Sequence, residues 1–284
     1  MIGGIEKCRG AWELPVSRIG INLRTVSHAM HISDANFEPG PEMIMPDGEV
    51  HVWRLDLDKV VVAESRWRAV LSQDEITRAD RFQFADVRQN FTATRALLRI
   101  LLGSYLTHNP KQLSFLYGAN GKPSLGPSHG AAEIQFNVSH SGTRALIAIT
   151  RGRPLGVDIE QIRKNVDCES LTQRYFSPCE QDALSALEAS EHCRGFFRCW
   201  TRKESYIKAR GAGLALPLHA FDVSVSQADE NLLLATRPAA SEAALWSICA
   251  IAVGEGYEAA LCCKGRDWVL KSPWTGDFNE STRR

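Results

Sequence analysis

The chain predicts an α+β fold built as two similar α+β halves in a pseudo-twofold arrangement, meeting near residue 150 with the active cleft between them. Three observations carry this. The order strand, helices, strands occurs once before residue 150 and again after it. Arg151-Gly-Arg-Pro154 is a turn that hands one half to the other. Finally, 284 residues at 44% apolar composition suffice for one large core or two small ones, which excludes disorder and a fibrous repeat. Identity between the halves is too low to call them an internal repeat.

Residues 1–47 show no clean period and are punctuated by Pro39-Gly40-Pro41 and Pro46-Asp47-Gly48, so a flexible N-terminal extension is expected there. The N-terminal half, 48–150, opens with His51-Val-Trp-Arg-Leu-Asp-Leu57, whose alternation of apolar and polar residues marks a half-buried strand. Ser72-Gln-Asp-Glu75 is a capping-box start, and the helical spacing from there to about Leu106 predicts two helices. The second carries Phe91, Ala96, Leu97, Ile100 and Leu101 as a core face, with Arg95 and Arg99 interleaved. Short strands are expected at 113–117, 134–138 and 145–150. The C-terminal half, 151–272, begins with a strand over 155–162. Ser177-Pro-Cys-Glu180 then offers an N-cap serine, a proline at the first helical position and a glutamate at the third, so a helix starts there. Another runs from about Arg194 to Arg210 and stops at Gly211 and Gly213. Strand-like stretches follow at 221–225, 232–235, 244–253 and 257–263, leaving 273–284 as a tail.

Lys plus Arg is 33 and Asp plus Glu is 33, so no global positive field attracts nucleic acid, and any anion site is local. The longest apolar stretch, Ala243 to Val253 interrupted by Ser247, is far shorter than the ~20 residues that span a bilayer. The N-terminus has no continuous apolar region of the secretory kind, so the cytoplasm is the expected address. Cysteines 8, 168, 179, 193, 199, 249, 262 and 263 form no C-x-x-C pair and are expected as reduced, mostly buried thiols.

Two motifs carry chemistry. In Gly156-Val-Asp-Ile-Glu160 the strand period puts Asp158 and Glu160 on one face and Val157 and Ile159 on the other, apolar one. Two carboxylates this close repel each other unless a cation neutralises them, and hard oxygen ligands suit magnesium. A solvated acidic strand face is the simpler alternative. In Trp200-Thr-Arg-Lys-Glu-Ser-Tyr-Ile-Lys208, Trp200, Lys203, Glu204, Ile207 and Lys208 fall on one helical face, where an ordinary amphipathic helix would place only apolar residues. A Glu204–Lys208 salt bridge on a wet face is the alternative there.

Together these motifs resemble the Sfp-type 4′-phosphopantetheinyl transferase family, whose signatures Gly-[Val/Ile]-Asp-x-Glu and Trp-x-x-Lys-Glu-x-x-x-Lys are both intact and about forty residues apart. The resemblance extends over about 51–265. It implies that Asp158, Glu160 and Glu204 ligate Mg2+ with the pyrophosphate of coenzyme A, and that Lys208, with Lys203 beside Glu204, contacts the cofactor. Asn120-Gly-Lys-Pro-Ser124 is similar to the family segment in which a lysine approaches the nucleotide end, so Lys122 and Pro123 are implied as contacts; a plain turn is a compatible reading. Phe136-Asn-Val-Ser-His-Ser141 resembles the segment whose serine and histidine hold the 3′-phosphate, which implies Ser139 and His140. Arg95 is similar to an arginine directed at the same region, whereas Arg78 and Arg81 are ambiguous and equally suit a solvated helix face. Glu180 has a local explanation as a helix-capping acid and is not assigned to catalysis.

The resemblance further implies Mg-dependent transfer of 4′-phosphopantetheine from coenzyme A to a serine of an apo acyl or peptidyl carrier protein, releasing 3′,5′-ADP. Glu204 and Lys208 are the catalytic candidates. A Glu204 bound to a dication and flanked by Lys203 and Lys208 is expected to have a lowered pKa, which weakens it as a base unless metal acidifies the hydroxyl. The carrier is expected to dock over 165–176, near Arg163, Lys164 and Arg174. No nucleic acid or membrane partner is expected, and two halves in one chain suffice for a monomer. The alternatives are a non-catalytic module that binds coenzyme A or a carrier protein, and a magnesium-dependent hydrolase of a nucleotide pyrophosphate.

Overall fold

The alternating stretch at 51–57 does form the first strand, and the elements that follow keep the expected order of strand, helices and strands, twice. The computed structural model describes residues 43–272 except 60–63, 130–132, 228 and 230–231. The expected extension thus lies outside the described residues up to position 42, and the tail 273–284 entirely so. Residues 43–47 pack onto the body: the Met43 amide donates to the Ser104 carbonyl and Met45 is buried. The first set of elements is β1 (Glu49–Asp56), α1 (Glu64–Val70), α2 (Gln73–Asp80), α3 (Ala85–Leu106), β2 (Phe115–Tyr117), β3 (Pro123–Leu125), β4 (Ile134–Ser141) and β5 (Arg144–Arg151). The second is β6 (Leu155–Gln161), α4 (Cys168–Tyr175), α5 (Pro178–Ser185), α6 (His192–Arg210), β7 (Phe221–Val223), β8 (Leu233–Thr236), β9 (Trp246–Ala250), β10 (Tyr257–Lys264) and β11 (Val269–Lys271). The fold is α+β.

Two sheets organise the molecule, one ordered β11-β1-β5-β4 and the other β6-β10-β9, with β2-β3 and β7-β8 as small hairpins. Between the two main sheets lies an apolar layer in which Val50, Val52, Leu146 and Ala148 meet Val157, Ile159, Ala259 and Leu261. The strand period sends the alternate residues of β10, Ala260 and Cys262, to the opposite face, where Phe197, Cys199, Tyr206, Phe221 and Trp246 form a second core around α6. That helix ends at Gly211, whose φ of 65° is the left-handed turn a glycine adopts without penalty.

Four elements escape sequence inspection. β11 is three residues long and pairs in parallel with β1 across most of the chain, a partnership with no local signal. In α4 no residue is buried, so no apolar period betrays it, although Asp167 caps it by accepting from the Ser170 amide. α1 and β3 are short. No helix among the described residues is long and apolar enough to cross a membrane.

Candidate active site

β6 delivers its acids as the alternation requires. Val157 and Ile159 are fully buried in the layer between the sheets, which turns Gly156, Asp158 and Glu160 toward α6. Gly156 is where the helix comes closest: a Cβ there would collide with the Ser205 carbonyl oxygen, the Ala209 nitrogen and the Lys208 carbonyl carbon. The glycine of the Gly-Val-Asp-Ile-Glu motif is therefore a contact point that lets α6 lie on the strand.

One edge of β6 pairs with β10 through the backbone. The other edge meets β4, and there side chains replace the backbone ladder. The Asn137 Oδ1 accepts from the Val157 amide at 2.8 Å, the Ser139 hydroxyl from the Ile159 amide at 3.3 Å, and the Ser141 hydroxyl from the Gln161 amide at 3.1 Å. Both serines also donate to acids, Ser139 to Asp158 Oδ1 at 2.8 Å and Ser141 to Glu160 Oε2 at 2.7 Å.

From α6, Lys208 reaches Asp158 Oδ1 at 2.5 Å, the Ser139 hydroxyl at 3.1 Å and the Val157 carbonyl at 3.3 Å. The salt bridge expected as the alternative, Glu204 to Lys208, does not form: the lysine pairs with the strand. Glu204 accepts no hydrogen bond among the described residues. Lys203 departs from its expected role. It is fully buried, and its ammonium donates at 2.7 Å each to Glu180 Oε1, the Leu218 carbonyl and the Phe221 carbonyl, leaving no donor for a ligand. The face that the spacing groups together is too broad to act as one: at about 100° per residue, Lys203 and Lys208 stand roughly 140° apart. Trp200 and Ile207 pack into the aromatic core, while Glu204 and Lys208 turn to the acids. Glu180 is a capping acid, as expected, and also the buried partner of Lys203.

The three carboxylates share one electrostatic neighbourhood. Burial raises the pKa of Asp158 against the opposing pull of Lys208 and Ser139. Burial likewise raises Glu160, with Asp158 adding to the rise and Ser141 opposing it. Glu204 is raised by burial and then by Asp158 and Glu160, with Lys208 opposing. The lowered value expected for Glu204 assumes a bound dication and two flanking lysines; in the protein alone Lys203 is turned away and burial prevails. Among the described residues no three ligating side chains stand close enough, as placed, to enclose an ion. The donor set nevertheless fits a hard divalent cation. It is all carboxylate, it is short of positive charge, and Asp158 Oδ2 is buried with no hydrogen-bond partner.

A cavity of about 320 Å³ opens beside Glu204 and Lys208 and is lined also by Asn120, Lys122, Pro123 and Asn137. Lys122 lies in its wall and donates to the Leu155 carbonyl at 2.9 Å and the Lys208 carbonyl at 2.7 Å, tying the end of α6 to the start of β6. Burial lowers its pKa to about 8. Pro123 pairs across the hairpin with Tyr117, whose hydroxyl accepts from Arg95 at 2.7 Å. Arg95 also donates to the buried Glu75 and stacks 4.2 Å from the Phe115 ring centroid. His140 points away from the serine ladder and part of its ring meets solvent, while partial desolvation of the rest, with the charges of Lys208 and Arg78, lowers its pKa. Arg78, ambiguous from sequence, is thus the arginine whose charge reaches His140. The Ser139 hydroxyl is already engaged by Asp158, Lys208 and the Ile159 amide, which leaves no free lone pair or proton for the phosphate contact expected of it.

Asn137 and Ser141 stand in the Phe136–Ser141 motif without a role that the sequence assigns; the signal for them is the polar run at positions 135, 137, 139 and 141, which share one face of β4. Sequence reasoning also missed Glu75 as the anchor of Arg95 and Arg99.

A strand and a helix thus bring Asp158, Glu160, Glu204 and Lys208 into one neighbourhood beside a cavity. Two family models match the chain: the 4′-phosphopantetheinyl transferase superfamily over residues 154–262, and the N-terminal region of 4′-phosphopantetheinyl transferases over residues 63–151. The 4′-phosphopantetheinyl transferase HetI of a Nostoc species is 38% identical over 231 residues, covering 81% of this chain and 94% of that protein. A putative 4′-phosphopantetheinyl transferase of a Synechocystis species is 34% identical over 164 residues, covering 58% of this chain and 65% of that protein. Sfp of Bacillus subtilis is 30% identical over 162 residues, covering 57% and 70% respectively. The chain belongs to the 4′-phosphopantetheinyl transferase family.

Proposed function

We propose that this protein transfers the 4′-phosphopantetheine group of coenzyme A to a serine of an apo acyl or peptidyl carrier protein. The observation that carries the reading is the meeting of Asp158 and Glu160 from β6 with Glu204 and Lys208 from α6. Asp158, Glu160 and Glu204 would hold Mg2+, a group that supplies positive charge to the pyrophosphate and to the leaving oxygens when bound. The serine oxygen forms a bond to the phosphorus bearing the pantetheine arm, the bond from that phosphorus to the bridging oxygen breaks, and 3′,5′-ADP leaves. Lys208 adds a fixed positive charge beside the reacting group, and Glu204 takes the hydroxyl proton. Lys122, Pro123, Arg95 and His140 would contact the nucleotide, and Arg163, Lys164 and Arg174 would meet the carrier, with a single chain as the acting unit.

The test is to incubate the protein with coenzyme A, Mg2+ and an apo carrier protein and to weigh the carrier. Gain of one phosphopantetheine supports the reading. An unchanged carrier that still binds points to a non-catalytic module, and release of the nucleotide without carrier points to a hydrolase.

A further inference from the structure

The side-chain ladder between β4 and β6 does more than join two sheet edges. The two strands run parallel, and the rungs step together from Asn137 and Val157 to Ser139 and Ile159 to Ser141 and Gln161. At the two serine rungs the hydroxyl works twice. It accepts from the amide of the residue after an acid, and it donates to that same acid: Ser139 to Asp158 at 2.8 Å, Ser141 to Glu160 at 2.7 Å. Holding both the following peptide and one carboxylate oxygen removes the rotational freedom of the acid. The second oxygen is then aimed by default, and at Asp158 that oxygen is the buried, unpartnered Oδ2. The Asn137 rung lacks this second half, since its carbonyl oxygen accepts from Val157 and reaches no acid.

We infer that Ser139 and Ser141 are positioning residues that set the carboxylates of Asp158 and Glu160 for a divalent cation. The inference rests on the reading of those acids as cation ligands. Groups that orient metal ligands from behind typically change metal affinity by roughly 10–100-fold when removed. A hydroxyl that merely stitched two strands together would act on stability alone.

Mn2+, as a spectroscopic substitute for Mg2+, is titrated into the full chain with coenzyme A present, and free Mn2+ is read by electron paramagnetic resonance. The same titration is run on Asp158→Asn, Ser139→Ala, Ser141→Ala, Ser141→Thr and Asn137→Ala, each checked by thermal melting. Ser139→Ala and Ser141→Ala are expected to weaken Mn2+ binding by roughly 10-fold or more, and Ser141→Thr, which keeps the hydroxyl, to restore it. Asn137→Ala, which removes a rung that reaches no acid, is expected to lower the melting temperature. Should Ser139→Ala fail to fold, the less buried Ser141 pair decides alone. Alanine variants that bind Mn2+ like the parent while Asp158→Asn does not would overturn the inference and leave the ligand reading intact. A parent protein that binds no Mn2+ would overturn both.

Discussion

Lys208 pairs with Asp158 across the contact between helix and strand, Nζ to Oδ1 at 2.5 Å, although Glu204 lies one turn before it on its own helix. The acid is almost wholly buried and the lysine about a quarter exposed, so the pair sits where water screens poorly. Removing one member leaves the other uncompensated. Lys208→Met should lower stability by about 2 kcal/mol in urea denaturation, below the full value for a buried pair because the lysine is partly wet. It should also lower kcat/KM on the order of 10²-fold. Adding Asp158→Asn should return the stability and leave the activity lost; a Lys208→Met protein as stable as the parent would show that the pair contributes nothing to folding.

Lys203, adjacent to the catalytic candidate Glu204, makes the opposite forecast. All three of its hydrogen bonds go to Glu180 and two carbonyls inside the core. Lys203→Met should cost about 3 kcal/mol by stranding the Glu180 carboxylate. The protein that does fold should keep the parent KM for coenzyme A. A KM raised tenfold or more, with stability unchanged, would restore the lysine to the cofactor site.

What the sequence discloses and what it hides divide along a physical line. The register of Asp158 and Glu160 is legible because a buried apolar partner set, Val157 and Ile159, forces it. The start of α5 is legible because Ser177 and Glu180 satisfy amides within four residues of each other. The roles of Lys203 and Ser139 are hidden, because each is decided by a partner from another element: Glu180 on α5 for the first, Asp158 on β6 for the second. Local spacing specifies which way a side chain leaves its own backbone. It does not specify what waits there, and so a motif lysine can be structural and a motif serine can serve an acid.

Gly156 tests whether the approach of α6 to β6 builds the site. Its missing Cβ would strike three backbone atoms of α6, and backbone cannot swing aside as a flexible side chain would. Gly156→Ala should therefore cost about 3 kcal/mol and should separate Lys208 from Asp158. Thermal melting reads the first effect, and an amide chemical-shift change spread over β6 and α6 reads the second. An alanine variant with parental stability and activity would mean that the helix has room to move.

Glu75 is one of the carboxylates that couple stability to acid. Burial alone would raise its pKa, but the Arg99 hydrogen bond and the charges of Arg95 and Arg99 outweigh burial and hold it below its ordinary 4.5. A carboxylate with a lowered folded pKa contributes stability that is fully present above its unfolded value and is lost as pH falls through the folded one. The parent should thus lose stability on acidification below about pH 4.5, within the window set by this shift. Glu75→Gln should lose about 3 kcal/mol at neutral pH, because Arg99 is left buried without its counter-charge. It should also show a shallower slope below pH 4.5 in denaturation series. An unchanged slope would assign the acid sensitivity to other groups.

Glu204 differs from the other two acids in that no hydroxyl or amide among the described residues engages it, and it faces the cavity that Lys122 and Pro123 also line. An acid restrained by no donor is free to accept a proton from an incoming hydroxyl, whereas Asp158 and Glu160 have one oxygen each committed to a serine. Glu204→Gln separates proton acceptance from charge and shape, since the amide keeps an oxygen that a hard cation can use but has no basic carboxylate. Turnover should fall by about 10²–10⁴-fold while the KM for coenzyme A changes little. Mn2+ affinity should fall less than turnover does, because two carboxylates remain. If turnover and Mn2+ affinity fell in equal proportion, Glu204 would be a ligand only, and the proton would have to leave by another route. If turnover stayed normal, Glu204 would have no part in the chemistry at all.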